Sequence, residues 1–226
     1  LVRSRGLGDV YKRQTLRPRQ PGSSIKPLNY ALAIEKKLIT PATLVIDMPT
    51  CFNVAGQKLY CPVNYDGSYR GPVQVRFALG NSLNIPAVKV LALNGLNDFL
   101  EKGKEMGITT WSEPENYGLS LTLGGGEVTM HNMATAFSSF ANLGLKKNLY
   151  AIQKIENTAG ETIFEQEESD GKRVLSMETA YLVSHILLDN NARAGAFGAS
   201  SHLVIRNHPE VSVKTGTTND YRDAWT

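Results

Sequence analysis

Ser23 and Lys26 are the first residues whose types and spacing could do chemistry. They stand three positions apart in the run GSSIK, where a helix is predicted to begin, so their side chains share one face while Ser24 points elsewhere. A serine becomes a nucleophile when a nearby base takes its proton, and a buried lysine with a lowered pKa can be that base. Taken by itself, the spacing is also typical of an ordinary helix cap beside a solvated lysine.

Ser82 and Asn84 form a second candidate pair, in the connection between two predicted helical runs, 73–80 and 85–94. If the connection is extended, the hydroxyl and the amide both face a cleft, where one relays a proton and the other binds a substrate amide. The same residues also fit a helix cap followed by Pro86 in the first turn.

The third pattern, KTGTT, begins at Lys214, where a strand predicted over 210–214 ends. Lys214, Thr215 and Thr217 suit a substrate carboxylate, and backbone N–H groups there could contribute to an oxyanion hole. Gly216 lacks a side chain, which predicts that a ligand approaches the strand backbone closely. A strand that simply runs into a polar turn is the alternative.

The elements that must position these residues are mostly helical. Apolar spacing, caps and stop signals predict five further elements besides the two runs above. They are helices over about 23–37, 96–106, 129–142 (capped by Thr129) and 177–190 (capped by Ser176), with a hairpin over 150–165. Residues 38–72 are punctuated by proline and glycine and are predicted to be rich in loops. The predicted class is α+β.

Composition excludes several kinds of protein. With 42% hydrophobic and 20% charged residues among 226, the chain is not disordered, and no apolar run is long enough for a transmembrane helix. The net charge is +3, but residues 1–14 hold four of the 24 basic and one of the 21 acidic residues, so the rest is neutral. Nucleic acid is therefore not an expected partner.

Metal and nucleotide sites are not indicated either. The four histidines show no ligand spacing, and no G-K-[ST] follows the triple glycine at 124–126, so we expect no metal and no cofactor. Cys51 and Cys61, ten positions apart, could form a disulfide outside the cytoplasm, but spacing does not decide it.

The three patterns occur together, in this order, in penicillin-binding proteins and serine β-lactamases. The surrounding stretches QPGSSIKPLNYALAI, RGPVQVRFALGNSLNIPAVKV, LTLGGGEVTMHNMATAFSSFANLG and VKTGTTNDYRDAWT resemble the transpeptidase domain of class A penicillin-binding proteins, the bifunctional peptidoglycan synthases. The resemblance implies the penicillin-binding fold, an antiparallel sheet flanked by helices.

The resemblance covers residues 15–226, which are expected to be a partial domain, truncated at both ends. A glycosyltransferase domain and a membrane anchor are expected upstream in the parent protein, which would act outside the cytoplasmic membrane. Residues 1–14 are interpreted as a cloning scar, because DVYKRQ is similar to a translated sequencing adapter.

The resemblance also implies roles. Ser23 would attack the D-Ala-D-Ala bond of a stem peptide, with Lys26 as its base, and an amine from a second stem would complete the cross-link. Ser82 would carry the proton to the leaving amine, supported by Lys214. The substrate-binding residues would be Asn84, for the amide, and Thr215, Gly216 and Thr217, for the carboxylate. Penicillin and other β-lactams would acylate the same serine.

Three alternatives share the motifs. A D,D-carboxypeptidase would use water in place of the amine, and a non-enzymatic β-lactam-sensing receptor would be acylated once. A β-lactamase would need a placed glutamate to activate water, and none of the glutamates between Asn84 and Lys214 has the expected E-x-x-L-N context.

Overall fold

The computed structural model describes residues 14–53, 59–167, 170–218 and 222–226. The α-helices in these residues are α1 (Lys26–Glu35), α2 (Val75–Gly80), α3 (Asn84–Asn94), α4 (Leu96–Met106), α5 (Met130–Ala141), α6 (Met177–Leu188) and α7 (Asn190–Phe197). Short 3-10 helices occupy Gly22–Ile25, Pro114–Asn116 and Leu119–Leu123. The predicted scar at 1–14 lies outside the described residues except for Gln14.

The strands are short and antiparallel, and the described ones pair two by two. They are β1 (Leu44–Asp47) with β2 (Gly71–Gln74), β3 (Leu145–Lys146) with β6 (Lys172–Arg173), β4 (Lys154–Glu156) with β5 (Thr162–Glu165), and β7 (Gly216–Thr217) with β8 (Ala224–Trp225). Helices and antiparallel strands in one chain confirm the predicted α+β class.

Helix α1 is the centre of the core, because every residue from Lys26 to Ile34 is buried. Helices α3, α4 and α6 pack around it. A helix that is covered on all sides can carry polar groups only if they find partners. Asn29 does so by donating to Ala87 O and Thr122 Oγ1, each at 2.9 Å. Lys26, at the start of this helix, is therefore fixed deep in the protein.

Local sequence signals predicted most helix ends correctly. Helix α4 has the predicted bounds and ends at Gly107, whose φ of 106° is left-handed. Thr129 and Asn132 form a capping box at the start of α5, and the Ser176 hydroxyl accepts from Thr179 N at the start of α6. The predicted hairpin is β4 and β5.

Two strand predictions were wrong. Residues 38–72, predicted to be rich in loops, contain β1 and the first half of β2, and β2 continues to Gln74 inside the run predicted to be helical. Val45 and Val73 pair across this antiparallel ladder despite the nearby prolines. Residues 210–214, predicted to be a strand, have no strand partner among the described residues. Val213 N instead donates to Leu187 O, and Ser212 Oγ donates to Ser184 O, so this segment lies along α6.

The helices described here are all too short or too polar to cross a lipid bilayer.

Candidate active site

Ser23 lies in the 3-10 helix Gly22–Ile25, which leads directly into α1. Its side chain lines a cleft of 590 Å³ together with Ser82, Asn84, Thr215 and Thr217. Neighbouring Ser24 is buried, and its hydroxyl donates to Pro21 O at 2.6 Å. The two serines therefore differ as the sequence predicted: Ser23 faces the cleft, whereas Ser24 stabilises the turn.

Lys26 is fully buried, and its ammonium contacts the Ser82–Asn84 connection. Nζ donates to Ser82 O at 2.6 Å, to Asn84 Oδ1 at 2.7 Å and to Leu83 O at 3.2 Å. Three acceptors match the three protons of an ammonium, which explains why a long side chain extends to this connection. In the described part of the chain no hydrogen bond joins Lys26 Nζ to Ser23 Oγ.

Ser82 lies between two lysines. Its Oγ is 2.9 Å from Lys214 Nζ and 3.4 Å from Lys26 Nζ. The residue has a φ of 57°, a left-handed conformation that costs a non-glycine residue about 1 kcal/mol or more. Such strain is common where a fold must present a side chain at a functional site.

Burial changes the acidity of both lysines. It lowers the pKa of Lys214 from its ordinary 10.5 to about 7. Burial also lowers the pKa of Lys26 well below its usual range, and the nearby charge of Lys214 lowers it further. A lowered pKa increases the fraction of an amine that is neutral and able to act as a base, relative to an exposed lysine.

Thr215, Thr217 and Thr218, which follow the buried Lys214, form another wall of the cleft. Lys214 is buried, and its Nζ also donates to Thr215 O at 2.7 Å. Thr217 belongs to β7, which pairs with β8 and packs against the 3-10 helix of Ser23. The hydroxyls of Thr215 and Thr217 thus face the cleft beside Ser23.

The structure shows a packing role for Gly216 that the sequence did not predict. A Cβ at this position would lie 2.3 Å from Pro21 O and 2.8 Å from Ser24 N, so the missing side chain allows β7 to pack against the 3-10 helix. The prediction that a ligand approaches the backbone at Gly216 stays a prediction, and the packing against the 3-10 helix is an additional reason for a glycine here. Gly124, which directly follows the 3-10 helix Leu119–Leu123, makes a similar close approach to the backbone of Gly22.

Asn84 is held on both sides of its amide. Its Oδ1 accepts from Lys26, and its Nδ2 donates to Val63 O at 2.7 Å. The backbone N–H of Asn84 donates to Asn64 Oδ1 at 2.8 Å. Val63 and Asn64 were not predicted, because a contact made across the fold leaves no periodic signal in the sequence.

Sequence reasoning also missed part of the cleft wall. Thr218, the last residue of the third pattern, lines it too, and these further lining residues lie outside the three motifs: Tyr65, Asn81, Leu123, Ala196 and Phe197. Tyr65 is 83% exposed, and an exposed aromatic in a turn was the one available signal. In the described residues, no carboxylate lines this cleft.

Cys51 and Cys61 form a disulfide, which settles the pairing that spacing left open. It lies within the connection between β1 and β2, the same connection that carries Val63 and Asn64. Among the residues that the structure describes, no group of three or more histidine, cysteine, aspartate or glutamate side chains is arranged to hold a metal ion.

Known proteins share this sequence and fold. The sequence profile of the penicillin-binding protein transpeptidase domain matches residues 4–224. Penicillin-binding protein 1A of Clostridium acetobutylicum is 34% identical over 216 residues, 92% of this chain and 26% of the relative. Penicillin-binding protein 1A of Neisseria lactamica is 31% identical over 222 residues, 96% of this chain and 27% of the relative.

The crystal structure of penicillin-binding protein 1A from Haemophilus influenzae matches with a TM-score of 0.75 and 29% identity, over 92% of this chain and 35% of that chain. The chain thus spans about a quarter of the length of the curated relatives it matches. With the three motifs gathered around one cleft, and with relatives that are class A proteins, the chain belongs to the penicillin-binding protein transpeptidase domain family.

Proposed function

We propose that this chain is the serine D,D-transpeptidase portion of a peptidoglycan synthase and that Ser23 is its nucleophile. The observation that carries the proposal is the pair of buried lysines around Ser82, which lines the same cleft as Ser23. Two amines with lowered pKa values, one on each side of a hydroxyl, form a path along which a proton can move in either direction.

In the acylation step, Ser23 Oγ bonds to the carbonyl carbon of the penultimate D-alanine, and the bond to the terminal D-alanine breaks. Neutral Lys26 takes the hydroxyl proton, which requires its Nζ to give up one of its present acceptors and turn toward Ser23. The proton then passes through Ser82 Oγ to the leaving amine. Lys214, 2.9 Å from that oxygen, stabilises the negative charge that develops on it.

Substrate binding would use the walls of the same cleft. Lys214, Thr215 and Thr217 would bind the terminal carboxylate, and Asn84 would bind a substrate amide with its free lone pair and N–H. The backbone N–H groups of Ser23 and Thr217 would form the oxyanion hole. This is supported by the close approach of the two segments, since a Cβ on Gly22 would lie 2.9 Å from Thr217 N.

In the second step, an amine of a neighbouring stem peptide attacks the acyl carbon, loses its proton and displaces Ser23. Water in place of the amine would give a carboxypeptidase. The three motifs do not separate these two outcomes, and the resemblance to class A penicillin-binding proteins is what favours the amine. β-Lactams would acylate Ser23 in the same way as the peptide.

The parent protein would be a bifunctional synthase, anchored in the cytoplasmic membrane, with this domain on its outer side. The disulfide is consistent with that compartment, because disulfides persist where the surroundings are oxidising. The glycosyltransferase domain would belong to the greater part of the relatives' length that this chain does not span.

The test is intact mass after incubation with a penicillin, followed by peptide mapping and then by product analysis with a D-Ala-D-Ala stem peptide. We expect one adduct, on Ser23, and a cross-linked product when an amine acceptor is present. Release of D-alanine into water alone would indicate a carboxypeptidase, and a stable adduct without peptide turnover would indicate a receptor. A folded protein without any adduct would refute the proposal.

A further inference from the structure

Asp47 and Asn64 form a buried polar pair directly behind Asn84, outside the three motifs. Asp47 is fully buried at the end of β1, and Asn64 is 3% exposed. Asn64 Nδ2 donates to both carboxylate oxygens of Asp47 at 2.9 Å, while its Oδ1 accepts the backbone N–H of Asn84 at 2.8 Å. Val63 O accepts from the Asn84 side chain. Two consecutive residues therefore hold both the backbone and the side chain of Asn84.

These contacts determine which way each amide faces. An ionised carboxylate only accepts, so the NH₂ group of Asn64 must face Asp47 and its oxygen must face Asn84. A backbone carbonyl also only accepts, so the NH₂ group of Asn84 must face Val63. The oxygen of Asn84 is then directed at Lys26 Nζ, 2.7 Å away.

The connection between β1 and β2 can be held closed without a buried charge. The β1–β2 ladder already joins Asp47 to Gly71, and the disulfide already joins Cys51 to Cys61. A buried carboxylate costs much free energy unless donors surround it, so its presence here needs a further reason. The pair also holds its own turn, because Asn64 Nδ2 donates to Ser68 O at 2.8 Å and Asp47 Oδ2 accepts from Arg70 N at 3.0 Å. The contact that reaches beyond this turn, and that the ladder and the disulfide do not supply, is the one from Asn64 to Asn84.

We propose that Asn64, anchored by the buried carboxylate of Asp47, is a positioning residue that orients Asn84 and, through it, the hydrogen bonding of Lys26. Neither residue touches the cleft where substrate would lie. The inference rests on the proposed function for its effect on catalysis, but the geometry it concerns, Asp47 to Asn64 to Asn84 to Lys26, is independent of the substrate.

Removal of Asn64 should change how Lys26 titrates. The bond from Lys26 Nζ to Asn84 Oδ1 stabilises the charged amine, so losing it lowers the pKa of Lys26, by about one pH unit for one hydrogen bond to a charged group. The titratable neighbours do not obscure this shift. The hydrogen bond to Asp66 raises the pKa of Arg70, with a smaller contribution from the charge of Asp47. Burial raises the pKa of Tyr30, and the charge of Asp47 adds to the rise, so both side chains keep their charge state between pH 5 and 9. Lys214 faces Lys26 and is unchanged in the variants.

The experiment is an NMR titration of the chain with labelled lysines, beside the pH profile of penicillin acylation. In Asn64→Ala we expect Lys26 to titrate about one pH unit lower, the acid limb of acylation to move with it, and the plateau rate to fall about tenfold or more. The matched control is Asn132→Ala, which removes another asparagine that is 3% exposed but lies at the start of α5. It should lose stability without moving either titration.

A swap keeps the test decisive if Asn64→Ala does not fold. The single variant Asn64→Asp places two carboxylates side by side and removes the donor between them. The double variant Asp47→Asn with Asn64→Asp exchanges the two roles, because residue 47 then donates to residue 64. A carboxylate oxygen at residue 64 can still accept the backbone N–H of Asn84. The double variant should bring the Lys26 titration back to, or above, its original position. An unchanged Lys26 titration in both single variants, or an equal shift in Asn132→Ala, would overturn the inference. If the unmutated chain is not acylated, the proposed function fails, but the NMR titration still decides this point.

Discussion

Lys214 Nζ lies 2.9 Å from Ser82 Oγ, although 132 residues separate the two along the chain. Lys26 Nζ lies 3.4 Å from the same oxygen, on its other side. Two amines this close and this deeply buried cannot both be charged without a large cost, because burial removes the water that would screen them. The charge of either lysine therefore controls the charge of the other, and the pH dependence of the site is a property of the pair.

Replacing Lys214 should shift the pH profile of acylation. Without the charge of Lys214, the pKa of Lys26 rises, so in Lys214→Met more of Lys26 is protonated at neutral pH and the acid limb moves to higher pH. The plateau rate should also fall, by about 100-fold, because Ser82 loses its electrostatic support. Stopped-flow measurement with a chromogenic β-lactam from pH 5 to 10 checks both effects. Lys154→Met, in the exposed hairpin, is the control and should leave the profile unchanged.

The same lysine should make folding depend on pH. Because burial lowers its pKa to about 7, Lys214 is neutral in the folded chain between about 7 and 10.5, where it is protonated in the unfolded chain. The unfolded state then binds the extra proton, so the free energy of unfolding rises with pH in this window, by about 1.4 kcal/mol per unit. Lys26 contributes with the same sign.

Urea denaturation at pH 7, 8, 9 and 10 measures this slope. Lys214→Met should be more stable than the original chain at pH 7, and the difference between the two should shrink toward pH 10. Parallel stability curves for the two proteins across this range would show that Lys214 is not neutral in the folded state.

The two neighbouring serines provide a direct test of the nucleophile. Ser23→Ala should abolish the penicillin adduct, because it removes the hydroxyl that faces the cleft. Ser24→Ala should keep the adduct and lose about 1 kcal/mol of stability with the hydrogen bond to Pro21 O. Intact mass and thermal unfolding separate the two results. An adduct that persists in Ser23→Ala would mean that another residue is the nucleophile.

The sequence predicted the elements whose signals are local. Thr129 and Ser176 cap helices because a hydroxyl bonds an N–H two or three residues on, within one turn of chain. The difference between Ser23 and Ser24 was likewise a matter of helical spacing. The three motifs lie around one cleft. The spacing within each motif did not predict that they meet, whereas their joint occurrence, which resembles a known family, did.

The rest depended on contacts between distant segments. Lys26 bonds to the Ser82–Asn84 connection because three oxygens are available there, and nothing near Lys26 in the chain indicates this. The alternation at 210–214 is typical of a strand, but a strand also needs a partner, and this segment bonds to α6 instead. Asn64 and Asp47 have no local signature, since each is polar and would ordinarily be assigned to the surface.

Gly216 should be intolerant of even a methyl group. In Gly216→Ala the new Cβ would meet Pro21 O and Ser24 N, both backbone atoms that cannot turn aside, so β7 must move away from the 3-10 helix that carries Ser23. We expect a loss of about 1–3 kcal/mol in stability and a much slower acylation. Gly160→Ala is the control: it lies at the tip of the hairpin with open space around it, and only its positive φ makes it costly. Equal acylation rates in the two variants would show that the β7 contact does not position the site.

The disulfide should support both the fold and the site. Replacing Cys51 and Cys61 by serine removes a cross-link that closes a short loop, which should lower the free energy of unfolding by about 2–3 kcal/mol. Because Val63 and Asn64 follow Cys61 closely, we also expect acylation to slow under conditions where the variant is still fully folded. Urea denaturation and acylation at low temperature measure the two effects separately. The original chain with its disulfide reduced should behave like the double variant, and a stability loss without any change in acylation would show that the ladder and the Asp47–Asn64 pair hold Asn84 without the cross-link.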